Sequence, residues 1–292
     1  MKSYKISDFS NTLKNLGITP GDTLHVHNKL FRLGKLENSF SKDQYLEMIY
    51  EGYLNVIGDS GTLVFGTYTT NCGRFGDPFI YEKSPCMNGA FNQYILERDN
   101  SVRSIHPINS FASVGYLKHE ICSNNGTSNY GIDSPVERLL KYDCKLLFVG
   151  DDYSNSVFIH YLEQNCGLPY CYNKLLDIPV YVNGKKLKRW FTANVRYLDL
   201  TLEYGLEKIK ACLKNRKLVR TEKIGGGFIH CISVIDYFNC CLDLVREDPF
   251  GLLGDVPDFI KGKIPFDGPT AGLDGVKEGS GSYSYFRPET TH

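Results

Sequence analysis

The 292-residue chain reads as an α/β protein, a central mixed sheet flanked by helices. Two observations predict this: apolar residues switch repeatedly from a helical period to alternation, and short buried-type apolar runs follow each switch. Residues 6–16 carry a helical rhythm closed by Gly17, and TPGDTLHVHNKL then alternates as a strand entered through a Pro-Gly turn. From Lys42 to Ile57 the positions Tyr45, Leu46, Ile49, Leu54 and Ile57 return to a helical period, and GTLVFGTYT follows as a short buried strand. After an irregular stretch rich in Gly and Pro, 71–88, the pattern predicts a helix over 89–98, a strand at FASVG, a helix at PVERLLKY and a buried strand at CKLLFVG. IPVYVNGKKLKRWFTANVRYL reads as a hairpin turning at Asn183-Gly184, a pair suited to the positive φ angles of the tightest hairpin turn. Helices are expected over 203–213 and 230–246. No repeat or long linker divides the chain, so residues 1–262 are expected to form one composite domain, and 263–292, rich in Gly, Ser, Pro and Thr, a loosely ordered tail.

A hydrophobic content of 42%, with 13% aromatic residues, suffices for a substantial core, and 33 basic residues balance 33 acidic ones. That balance leaves no global field to attract nucleic acid or an anionic membrane, so neither is an expected partner. The N-terminal segment lacks the apolar stretch of an export signal, and the most apolar later segment, His230 to Val245, is interrupted by Asp236, Asn239 and Asp243. A cytoplasmic protein is expected. Ten cysteines are scattered without a CxxC pair, which favours reduced thiols and argues against structural zinc. A homodimer is compatible with the sequence, which does not specify the oligomeric state.

Three histidine-bearing stretches carry candidate chemistry. His25 and His27 alternate on one strand and share a face, yet no third ligand stands near them, so no metal is expected. In RSIHPINS, Pro107 holds His106 extended while Asn109 and Ser110 turn the chain, which presents polar groups at a fixed place. In SVFIHYLEQNCGLPY, His160 and Glu163 lie three apart on one helix face. A general base with an orienting carboxylate and a polar edge on a packed helix both fit that spacing.

Taken in order, LKNLGITPGDTLHVHNKLFRLGKL, GDSGTLVFGTYT, FGDPFIYEKSPCMNGAFNQYILERDNSVRSIHPINSFASVG, SPVERLLKYDCKLLFVG and SVFIHYLEQNCGLPY resemble the aminoglycoside 3-N-acetyltransferase family over residues 13–170, with a weaker echo from GGGFIHCIS onward. The resemblance implies that family's own α/β fold and a transferase that uses acetyl-CoA as cosubstrate. It implies CoA contacts along the loop after the first strand, at His27, Asn28, Lys29, Leu30, Phe31 and Arg32. The base of the N-S/T-x-x-H-x-x-E motif falls on His160, with Glu163 at the acidic position. Ser104, His106 and Ser110 fall on R-S-x-H-P-x-x-S, near the thioester, which implies His106 as a third catalytic residue and the two serines as CoA contacts, and Tyr68 and Gln93 fall on the acceptor side. Direct transfer from CoA to the amine is expected, since no cysteine falls on a nucleophile position.

Several family positions differ. The usual Ser-Ser of the CoA loop is Asn28-Lys29, a glutamate is Gln93, a second histidine is Asn109, and the asparagine of the base motif aligns with Ser156. In RWFTANVRYL, where the family usually carries an acidic segment, Arg189, Trp190 and Arg196 stand in place of carboxylates. A polycationic aminoglycoside needs carboxylates around it, whereas two arginines and a tryptophan suit an anionic, aromatic ligand. The acceptor expected on these grounds is a nucleotide-linked amino sugar of surface-polysaccharide synthesis; the alternative is an aminoglycoside antibiotic.

Overall fold

In the strand Thr23–Asn28, Leu24 and Val26 face one way and His25 and His27 the other, so a two-residue period gives this short segment one apolar face and one polar face. In the computed structural model, which describes residues 2–197 and 202–257, this strand lies at the centre of a seven-stranded sheet. The order across the sheet is Arg220–Ile224, Gly227–Ser233, Lys145–Val149, Thr23–Asn28, Thr62–Gly66, Phe111–Gly115 and Val102–Arg103. Only the two contacts of the central strand, with Lys145–Val149 and with Thr62–Gly66, are parallel; the other neighbours pair antiparallel. The sheet is therefore mixed, as expected, and its carboxyl-terminal strand ends coincide only at the middle. The expected tail at 263–292 lies outside the described residues, as does the end of the 1–262 unit.

Two cores cover the two faces. Leu24, Val26, Leu63, Phe65, Leu147 and Val149 pack beneath the helices Ile6–Asn15 and Lys42–Ile57. Val64, Leu146, Phe148 and Ile232 pack on the other side against Phe158–Cys166 and Val234–Glu247. Side-chain caps fix where helices begin: Ser41 accepts from the Gln44 amide, and Ser134, followed by Pro135, accepts from the Glu137 amide.

The second half differs from expectation at two places. The helix predicted over 230–246 begins only at Val234, where Ser233 caps it, and Gly227–Ser233 is a strand that forms a hairpin with Arg220–Ile224. The alternation of buried Ile229 and Cys231 with outward Phe228 and His230 is a strand period that an apolar run conceals. The turn at Asn183-Gly184 exists, with φ of 49° and 71°, but it joins only Val180–Val182 to Lys185–Lys186. Phe191–Arg196 pairs instead with Cys171–Leu176 over six residues, because Phe191, Ala193 and Val195 fill a third core with Leu176, Phe79 and Ile108. The helix expected at 203–213 spans Leu206–Asn215. Among the described residues no helix is long and apolar enough to cross a membrane.

Leu147 is fully buried in the sheet's central parallel pair. Leu147→Ala is expected to destabilise the fold by about 2–5 kcal/mol, read as a lowered urea midpoint with an unchanged slope.

Candidate active site

At the carboxyl ends of the parallel strands the chain opens into a cavity of about 320 Å³. Such ends favour ligand sites because the loops leaving adjacent parallel strands diverge. His25, His27, Asn28 and Lys29 line it from the central strand, Gly66 and Tyr68 from the next, and Asp151 and Asn155 from the segment beyond Lys145–Val149. Asn88, Asn92, Tyr130, Val157 and His160 complete the wall.

His160 sits in the first turn of the helix Phe158–Cys166, and the i,i+3 spacing delivers what the sequence suggested: its Nδ1 lies 2.8 Å from Oε2 of Glu163. Glu163 is only 1% exposed, and its other oxygen accepts a 2.8 Å hydrogen bond from the hydroxyl of Tyr204, which also lies 3.3 Å from His160 Nδ1. Burial, and next the charge of Glu163, push the Tyr204 phenol well above its ordinary pKa, so it remains a donor. The ring of Tyr130 stacks on His160 at 5.1 Å. With Nδ1 turned to Glu163, Nε2 is the nitrogen left for a ligand in the cavity. This arrangement makes the ring a proton acceptor whose cationic form has a carboxylate already in contact.

His25 and His27 do share a face, with ring centres 4.6 Å apart. His25 Nδ1 bonds the Val64 carbonyl, and His27 stacks on Phe148 and reaches Ser156 Oγ at 3.3 Å. Burial, and then the nearby Lys29, lower the His27 pKa to about 4; burial lowers His25 well below the ordinary histidine range. Both are neutral side chains at pH 7. Among the described residues no group of three or more His, Cys, Asp or Glu is arranged to hold a metal.

Of the expected CoA-loop residues, His27, Asn28 and Lys29 line the cavity. Asn28 donates to Asn92, which donates to the Gly66 carbonyl, and Lys29 pairs with Asp151 at 2.7 Å. Leu30 is a core residue, while Phe31 is 77% exposed and Arg32 donates to the Gly150 carbonyl outside the cavity.

The RSIHPINS residues require correction, because the structure does not bring them to the cavity. His106 is buried, donates from Nε2 to the Thr192 carbonyl, and accepts at Nδ1 from the Ile108 and Asn109 amides. Burial lowers its pKa to about 4, and both nitrogens are committed to the backbone, so it holds the turn instead of moving protons. Ser104 accepts from the Phe111 amide. Ser110 donates to the Thr67 carbonyl and accepts from buried Arg103, whose guanidinium also bonds the carbonyls of Tyr81, Ser84 and Thr67. The motif is a knot that fastens three loops.

The expected acceptor residues separate in the same way. Tyr68 lines the cavity. Gln93 does not: it accepts from the Cys86 amide and donates to Glu97. Arg189 donates to the Asn125 carbonyl, and with Trp190, 66% exposed, it lines a different cavity of about 480 Å³ beside Leu176 and Pro179. Arg196 lies behind the base, its guanidinium 5.0 Å from the centre of the Tyr204 ring. The sequence reading missed Asn88, Asn92, Tyr130, Asp151, Asn155 and Tyr204. Only Asp151 carried a signal, as an acid immediately after a buried strand; Tyr130 and Tyr204 meet His160 through long-range folding.

The family model for aminoglycoside 3-N-acetyltransferases matches residues 26–246. The chain belongs to the aminoglycoside 3-N-acetyltransferase family. Among relatives, aminoglycoside N(3)-acetyltransferase IV of a Salmonella species is 28% identical over 252 residues, covering 84% of this chain and 89% of that protein. A mutant of the aminoglycoside acetyltransferase AAC(3)-IVa, solved in complex with a gentamicin, superposes with a TM-score of 0.72 at 22% identity, covering 87% of this chain and 93% of the other. AAC-IIIb, solved with CoASH, gives 0.70 at 17% identity over 84% and 97%. As a member of the family the chain is an N-acetyltransferase, and acetyl-CoA is its cosubstrate.

The expected nucleotide-linked amino sugar is overturned, since the matching family and the relatives are aminoglycoside N-acetyltransferases. The physical reason is position. The arginines and tryptophan that suggested an anionic acceptor lie outside the cavity, which instead gathers four asparagines, the imidazole rings and the Asp151–Lys29 pair.

Near-neutral histidines refuse protons that the unfolded chain accepts near its ordinary pKa of about 6.5. For His106 and His27 the folded pKa is depressed, so their contribution is fully present above about 6.5 and is lost as pH falls through about 4. Urea midpoints are expected to drop across that window, by at most ~1.4 kcal/mol per pH unit for each histidine. His106→Gln, which retains an acceptor and a donor, is expected to flatten the slope.

Proposed function

We propose that this enzyme acetylates an amino group of an aminoglycoside, in the manner that the names of its relatives describe, and so confers antibiotic resistance from within the cytoplasm. The observation that carries the reading is the His160–Glu163–Tyr204 cluster, which leaves one imidazole nitrogen toward a cavity rich in oxygen acceptors. Aminoglycosides are polycations, and their ammonium and hydroxyl groups match carboxylate and amide oxygens.

An amine attacks a thioester only through its lone pair. In this reading His160 Nε2 takes the amine proton as nitrogen bonds the acetyl carbonyl carbon. The tetrahedral intermediate then collapses, the C–S bond breaks, and the CoA sulfur leaves with its electron pair and is protonated by the imidazolium. Glu163 stabilises that imidazolium, and Tyr204 holds the carboxylate so that Oε2 faces the ring. Asp151 and the asparagines orient the acceptor.

The first test is free-thiol release from acetyl-CoA in the presence of kanamycin-, gentamicin- and neomycin-type acceptors. Acceptor-dependent release is expected with at least one, and absence of release with all of them would overturn the acceptor. His160→Ala is expected to lower kcat by roughly 10²–10⁴ with CoA affinity intact, so near-wild-type turnover would remove it as base. Tyr204→Phe keeps the ring but loses the hydroxyl; a fall in kcat on the order of tenfold, with little change in KM, is expected from one lost hydrogen bond to a charged group.

A further inference from the structure

The cavity beside Trp190 shares no lining residue with the one that holds His160. It lies in a break within a two-stranded ribbon. Cys171–Leu176 and Phe191–Arg196 pair residue by residue until Leu176 meets Phe191, and the chains then part. They meet again where the Leu187 amide donates to the Val180 carbonyl, next to the pair Tyr181 with Lys186. The register is the same on both sides of the break, so Ile178 and Arg189 are the residues whose pairing the ribbon omits. Pro179, which has no amide to give a ladder, helps to open it, and its carbonyl accepts from the Phe79 amide of a neighbouring strand. Among the described residues, the amides of Ile178 and Arg189 bond no backbone carbonyl, and such groups need water or a ligand.

The walls of the break are apolar in one part and cationic in another. Leu176 and Val180 are buried in the third core, Leu187 packs against it, and Trp190 is 66% exposed. Lys186, Lys188 and Arg189 bring three cations, against the single carboxylate of Asp177. Among the described residues none of the three pairs with a carboxylate. The partners recorded for Arg189, the Asn125 carbonyl and the Phe191 ring, are neutral. Positive charge and open amides together favour an anion, and the exposed indole favours a flat apolar body joined to it.

Size narrows the occupant further. The opening holds about 480 Å³ and is closed at both ends by the ribbon's own pairs. From Leu176 to Val180 the chain covers at most ~14 Å, at about 3.4 Å per strand residue. That length suits a molecule of one or two rings and excludes an added polypeptide strand.

We propose that this break is a binding site for a small aromatic anion, a phosphate or carboxylate carried on a ring, distinct from both substrates of acetyl transfer. The ring lies against Trp190 and Leu187, and the charged group meets Lys186, Lys188 and the Arg189 amide. The inference does not depend on which acceptor the enzyme acetylates.

Trp190 is the chain's single tryptophan, so tryptophan emission reads this cavity alone. The full-length enzyme, kept saturated with CoA so that the substrate cavity is occupied, is titrated with phenyl phosphate, inorganic phosphate and benzylamine. Phenyl phosphate is expected to change the emission saturably and to bind about tenfold or more tighter than inorganic phosphate, while benzylamine gives no saturable change. Lys186→Glu combined with Lys188→Glu is expected to weaken phenyl phosphate about tenfold or more, and Lys188→Gln to weaken it less. Both lysines are exposed, and circular dichroism with urea midpoints checks that the variants fold. The site is overturned by the absence of a saturable response to phenyl phosphate in the CoA-saturated enzyme, by an equal response to benzylamine, or by unchanged affinity in the charge-reversed variant.

Discussion

Much of this structure depends on the alternation within Thr23–Asn28, a strand held between two parallel partners. Because successive side chains point to opposite faces, Leu24 and Val26 anchor one core while His25 and His27 turn toward the other side, where the cavity opens. A shift of register by one residue would turn the leucine toward the cavity and set the histidines against the helices Ile6–Asn15 and Lys42–Ile57. The parallel pairing also fixes which strand ends coincide, and so where Lys29, Tyr68 and Asp151 can meet.

Burial then distributes the roles of similar residues. Four of the histidines discussed here are His25, His27, His106 and His160, and the first three are held neutral by desolvation and by backbone or hydroxyl partners. Only His160 has a buried carboxylate in contact and a nitrogen toward the cavity. Arg103 shows the same principle with opposite charge. It lies 4% exposed against the Phe79 ring, bonded to Ser110 and to three carbonyl oxygens, and burial lowers its pKa to about 10. Those oxygens belong to two segments, the turn holding Tyr81 and Ser84 and the stretch at Thr67, so one guanidinium ties the turn to the residue that precedes Tyr68 in the cavity wall.

The cavity is lined by amides, imidazole rings, two tyrosines and one ion pair, Asp151 with Lys29, so its polar groups are fixed in place before any ligand enters. The segment Asp151–Asn155 forms one wall of it. Its acid contacts Lys29 and its tyrosine contacts His230, so that wall is braced both by the central strand and by the outer hairpin.

The sequence alone determined the α/β class, the order of the first-half elements and the His160–Glu163 pair, because those rest on local period and i,i+3 spacing. It also carried the family, through ordered motifs. Tertiary structure decided the rest. Gly227–Ser233 is a strand because it finds the edge of Lys145–Val149, and Phe191–Arg196 leaves its expected hairpin because a six-residue partner and a buried core are available in Cys171–Leu176. The same kind of long-range pairing removed His106, Ser110 and Arg189 from the cavity and brought Tyr130 and Tyr204 to His160, while Gln93 was claimed by near neighbours, the Cys86 amide and Glu97. Polar residues in a motif have no fixed partner until folding supplies one. Here backbone carbonyls and amides claimed most of them, and only burial and register could select those left facing a ligand.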